Sequence, residues 1–158
     1  MRARSALVYD ERARKLVTEW KEGGRARLAQ VAASIIAGSL AAPAVEAVVP
    51  VPGDPERTWA RGRATPDSLS RALGRRWGIP VDDLLRRVGS LPRQRGLALR
   101  DRRRNVRGSV AAVRAAPRTA CLIDDVYTSG ATADACAAAL RKAGARRVEV
   151  VTLARAVR

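Results

Sequence analysis

Cys121-Leu122-Ile123-Asp124-Asp125-Val126-Tyr127-Thr128-Ser129-Gly130-Ala131-Thr132 is the most informative run in the chain. An apolar strand brings two carboxylates to its carboxyl end, and a short turn of hydroxyls and glycine then opens a helix. Ligands of open α/β sheets bind outside the carboxyl ends of the strands. The turn at residues 128–132 supplies backbone N–H groups, three hydroxyls and a helix N-terminus, a combination that favours one phosphate group.

Two carboxylates facing that phosphate would repel it, so they call for another partner. The cis 2′- and 3′-hydroxyls of a ribose are two donors that ionised Asp124 and Asp125 can accept from. A phosphate cup beside a diol clamp describes a ribose 5-phosphate. The plain alternative is that Asp124 and Asp125 cap a turn while Thr128, Ser129 and Thr132 cap the helix. The chain has no GxxxxGK[ST] and no GxGxxG, which argues against a P-loop NTPase and a dinucleotide-binding fold.

Working outward, the spacing predicts a βαβ unit: a strand at 119–124, a helix at 132–143 stopped by Gly144, and a strand at 147–154. Upstream, Ala13, Leu16, Val17 and Trp20 make one apolar helical face over 10–22, ended by Gly23 and Gly24. A second helix is expected over 25–40 and a short buried strand over 46–49, closing on Pro50-Val51-Pro52-Gly53. Thr65-Pro66-Asp67 starts a helix that runs to Trp77 and Gly78. Residues 80–88 are ambiguous, 89–108 form a basic excursion, and 109–113 are read as a strand. Alternating strands and helices imply a parallel sheet in a single α/β domain.

The 158 residues suit one domain with a real core. There is no histidine, which excludes Ser-His-Asp, Cys-His and His-ligated metal chemistry. Cys121 and Cys136 are too few for a disulfide framework or a four-cysteine zinc site and read as buried thiols of a reducing compartment. The net charge is +16, and all but three of the 31 basic residues are arginine. Such a chain attracts polyanions, whether nucleic acid, nucleotide or phosphorylated sugar; biased codon usage gives the same composition. No signal peptide is recognised and Pro43 breaks the apolar stretch at 31–51, so a cytoplasmic protein without a membrane span is expected.

Residues 121–132 resemble, position for position, the phosphoribosyl-pyrophosphate (PRPP) motif of type I phosphoribosyltransferases. More of the chain is similar to the ComF branch of that superfamily, named for competence and DNA uptake and often described as amidophosphoribosyltransferase-like. Val49-Pro50-Val51-Pro52 looks like its pyrophosphate loop and Arg61-Gly62 like the start of its Arg-Gly-Phe-Asn-Gln segment. Gln94, Leu97, Arg102, Asn105, Val106 and Gly108 look like its mobile loop, and the ending Val150 to Arg155 is also similar. Arg63, Ala64 and Thr65 stand where the family has Phe, Asn and Gln. These proteins commonly begin with a Cys-rich zinc ribbon, and the chain starts after where that would lie, so no metal finger is expected.

The resemblance implies a type I phosphoribosyltransferase fold, a parallel sheet flanked by helices. It implies one domain over 1–158, with a helical hood at 1–44 and a core at 45–158 carrying a mobile loop at 89–108. It implies Mg²⁺-PRPP or a nucleotide as ligand and phosphoribosyl transfer to or from a nitrogenous acceptor. Asp124 and Asp125 would be catalytic and hold the ribose. Thr128, Ser129, Gly130, Ala131 and Thr132 would hold the 5-phosphate. Val51, Pro52, Gly53, Arg57 and Arg61 would meet the pyrophosphate, with Gln94, Arg102 and Asn105 on the mobile loop. Trp59 is a candidate for stacking on a base. The alternative is a non-catalytic competence component that binds nucleotide or PRPP as an effector; single-stranded DNA and competence proteins are then its partners. The superfamily resemblance suggests a homodimer.

Overall fold

The computed structural model describes residues 1–23, 26–53, 65–88 and 109–157. Four strands form one all-parallel sheet: β1 (Arg2–Val8), β2 (Ala47–Pro50), β5 (Thr119–Tyr127) and β6 (Arg147–Arg155), in the order β1-β6-β5-β2. Helices α1 (Glu11–Gly23), α2 (Ala26–Ser39) and α3 (Thr65–Trp77) are joined by α4 (Ala131–Lys142) and a small antiparallel pair, β3 (Leu85–Arg87) and β4 (Val110–Ala112).

Side chains alternate along a strand, and the two halves of the core follow that alternation. Ala120, Leu122, Val148 and Val150 pack toward α4 and the β3–β4 pair. Cys121, Ile123, Val151 and Leu153 pack toward Val17, Trp20, Ala33, Ile36, Leu69 and Leu73 of α1, α2 and α3. Both faces of the sheet are covered, which is why its central strands read as continuous apolar runs rather than alternating ones.

The β2 edge is closed by the chain beyond α3: Val48 donates its amide to Pro80 O and accepts from Asp82 N, each at 2.9 Å. Gly78, with φ 67°, ends α3 and turns the chain into that contact. Three details differ from the sequence reading. Residues 2–8 form an edge strand where no element was read, β5 continues to Tyr127, and part of the ambiguous 80–88 stretch becomes β3. Among the described residues no helix is long and apolar enough to cross a membrane.

Candidate functional site

The carboxyl edge of the sheet brings the sequence-predicted residues together. Pro50 on β2 pairs with Ile123 on β5, so the loop after β2 emerges beside Asp124 and Asp125. Beyond Tyr127 the chain passes through Thr128 and Ser129 to Gly130, which takes φ 76° and ψ −4° in the left-handed region and serves as N-cap of α4. The backbone angle favours glycine, and a Cβ there would also push the Tyr127 hydroxyl aside. No side chain caps this helix start, and Ser129 Oγ accepts only a long 3.4 Å bond from Ala131 N. The hydroxyls therefore do not form the ordinary cap that was the plain alternative, and the helix N-terminus presents its amides at the site edge.

The two carboxylates differ in surroundings. Strand alternation turns Asp124 toward α4 and Arg87, whereas Asp125 turns toward α1, where its Oδ2 meets Lys21 Nζ at 2.8 Å. Asp125 is buried. The carboxyl of Asp124 is pushed up from 3.8 to about 7, first by burial and then by the neighbouring Asp125 charge. The Asp125 amide, donating to Asp124 Oδ1 at 2.9 Å, and the charges of Lys21 and Arg87 pull it partly back.

The loop after β2 has fewer free donors than expected. Val51 spends its amide on Ile123 O at 3.0 Å, and Pro52 has none, so Gly53 is the position in this stretch left to offer one. Arg57, Arg61, Gln94, Arg102, Asn105 and Trp59 lie outside the described residues.

Sequence reasoning missed Lys21 and Arg87. Lys21 lies four residues after buried Val17, and a lysine continuing an apolar helical stripe was the signal. Arg87 shares a strand face with buried Leu85; its Nε donates to Pro52 O at 3.3 Å, placing a guanidinium between the β2 loop and Asp124. Tyr127 is fixed between Gly130 and Arg155, whose guanidinium lies 5.0 Å from the ring centroid. Chemically, the edge offers helix amides, a carboxyl pair of which one member is buried and the other half-buried, and two flanking cations.

The parallel sheet flanked by helices is the type I phosphoribosyltransferase fold. Solved structures that share it include glutamine PRPP amidotransferase from B. subtilis complexed with ADP and GMP, and the allosteric regulatory enzyme of purine biosynthesis. The first is 22% identical with TM-score 0.51, covering 82% of this chain and 26% of that one. The second is 24% identical with TM-score 0.52, covering 82% and 25%. By sequence, the chain is a homologue of Competence protein F of Haemophilus influenzae, 38% identical over 116 residues. That alignment takes in 70% of this chain and 51% of the relative, so the chain spans about half the length of the protein it matches. No family model matches the chain.

Proposed function

We propose that the protein binds PRPP, or the ribose 5-phosphate part of a nucleotide, and transfers phosphoribosyl to or from a nitrogenous acceptor. The observation that carries this reading is the carboxylate pair near the carboxyl end of β5, with the uncapped, glycine-opened N-terminus of α4 a short turn further on. The 5-phosphate would sit on the turn from Thr128 to Thr132, where helix amides and hydroxyls donate to it. Asp124, half-buried and facing the β2 loop side, is the first candidate for the ribose diol. Asp125 reaches a hydroxyl only in competition with Lys21.

Transfer at the anomeric carbon passes through an oxocarbenium-like centre, which buried carboxylates stabilise electrostatically, while the departing pyrophosphate needs positive charge. Arg87 and the Gly53 amide supply that from the described residues, and Arg57, Arg61 and residues 100–107 extend it from the sequence. Among the described residues no group of three or more acidic or thiol side chains could hold a metal. Mg²⁺ in this reading arrives on the pyrophosphate oxygens, as part of the substrate, and neutralises leaving-group charge.

Calorimetric titration of PRPP, once with Mg²⁺ and once with EDTA, tests the site. Saturable, Mg²⁺-dependent binding supports the proposal, and no binding at millimolar PRPP overturns it. The name of the H. influenzae relative favours a second reading, a competence component that uses the ligand as an effector. Binding without pyrophosphate release across a panel of nucleobases and amines would select that reading.

A further inference from the structure

The opposite, amino-terminal edge of the sheet carries a second cluster of charge. The last turn of α4 holds Arg141 and Lys142, and the loops leading into β5 and β6 hold Arg118 and Arg146. These loops are locked together: Arg146 N and Arg147 N both donate to Arg118 O, at 2.8 and 3.0 Å, and Ala116 N donates to Ala143 O at 2.9 Å. All four side chains are exposed, and none forms an ion pair among the described residues. Their flanking neighbours are already engaged, Arg114 with Asp82 and Arg147 with Glu149 and Ala44 O. The nearby Glu46 carboxylate is taken up by the Thr119 amide at 3.1 Å.

The four cations are not needed to finish the helix. The carbonyls of Ala139, Leu140 and Arg141 already accept from backbone amides of residues 143–145. Four like charges on two braced loops and one helix end make a concentrated positive patch that attracts a polyanion. The surface between them is Ala115, Ala116, Pro117, Ala143 and Gly144, with Val113 as the one larger exposed apolar side chain among them. It lacks the aromatic anchors of a protein interface and the bulky apolar face of a membrane-surface helix. Three of the four cations are arginines, whose planar forks match phosphate oxygens.

We infer that this amino-terminal edge, formed by Arg118, Arg141, Lys142 and Arg146, is a docking surface for the phosphodiester backbone of a nucleic acid. It is separate from the carboxyl-edge site and does not depend on what binds there.

The test is fluorescence anisotropy with a 20-nucleotide oligo-dT and with a duplex of the same length, from 50 to 300 mM salt. Four contacts contribute a slope of about −3 in log K against log salt for a single strand, or about twentyfold in affinity between 100 and 300 mM. The combined variant R118Q/R141Q/K142Q/R146Q is expected to flatten the slope by about that amount, and R118Q/R146Q by about half. The second variant keeps the test alive if the first does not fold. The single-strand and duplex arms say which nucleic acid supplies the backbone. An unchanged slope in a folded quadruple variant overturns the inference. So does loss of binding to anionic phospholipid vesicles with oligonucleotide binding intact. PRPP titrated into the same variant should behave as in wild type, so a failure of the phosphoribosyl reading leaves a distinct signature.

Discussion

Lys21 Nζ lies 2.8 Å from Asp125 Oδ2, joining helix α1 to the carboxyl end of the central strand. The Asp125 side chain is 9% exposed and that of Lys21 37%, so the carboxylate has little water to fall back on while the amine has some. Lys21→Met should cost about 1–2 kcal/mol, because it strands a buried carboxylate, with solvent around Lys21 limiting the loss. Lys21→Arg should recover part of it. Urea midpoints at pH 7 check both; a Met variant as stable as wild type would remove the ion pair from the account of how α1 is held.

The turn that opens α4 makes a second prediction. Gly130→Ala forces a β-carbon into the left-handed region and against Tyr127. The backbone term alone is about 1–2 kcal/mol. A drop in thermal midpoint with weakened ribose 5-phosphate binding is expected. Normal binding in the variant would separate this turn from the phosphate.

Arg87 donates to Pro52 O beside the loop proposed to meet the pyrophosphate. Arg87→Gln should therefore weaken PRPP about tenfold or more, the scale of one charge-assisted hydrogen bond. Ribose 5-phosphate, which lacks the pyrophosphate, should be affected much less. Equal losses for the two ligands would instead place Arg87 at the sugar or its 5-phosphate.

Both cysteines are fully buried core residues, and burial pushes each thiol up to about 12. The thiolate is the reactive form, so neither should react with an aromatic disulfide reagent at pH 8 until denaturant is added. Rapid modification of the native protein would show that the sheet opens at β5 or α4.

The central βαβ unit was legible because its apolar runs, Gly130 and Gly144 are local signals, and the carboxylates lie close to the strand's carboxyl end, although β5 runs on to Tyr127. Edge strand β1 was not: Arg2, Arg4 and Ser5 make it look polar, and its place is fixed only by pairing with β6, more than a hundred residues away. Distance in sequence also hid Lys21 and Arg87. Each carried a local hint in its face of helix or strand, but which carboxylate it meets depends on how α1 and β3 dock. That only Gly53, among the described residues of the loop after β2, keeps an amide to offer likewise follows from one bond, Val51 to Ile123, beside the missing N–H of Pro52.

Asp124 joins stability to function in opposite directions. Its folded-state pKa is raised from 3.8 to about 7 by burial and by Asp125. Between those values the native state holds a proton that the unfolded chain has released. The contribution of this group is thus fully present below about pH 4, falls as pH rises, and is lost above about pH 7. Asp124→Asn keeps the acceptor for the Asp125 amide and removes the buried charge. The variant should be more stable than wild type at pH 8, by an amount on the order of 2–4 kcal/mol, with the difference shrinking toward pH 4. Combined with Asp125→Asn, it should abolish PRPP binding in calorimetry while the fold persists. Denaturation curves at pH 4, 6 and 8 beside PRPP titrations read both halves. A double variant that still binds PRPP would take the ribose away from these carboxylates. A stability gap that does not grow with pH would mean that Asp124 is solvated well enough to ionise normally.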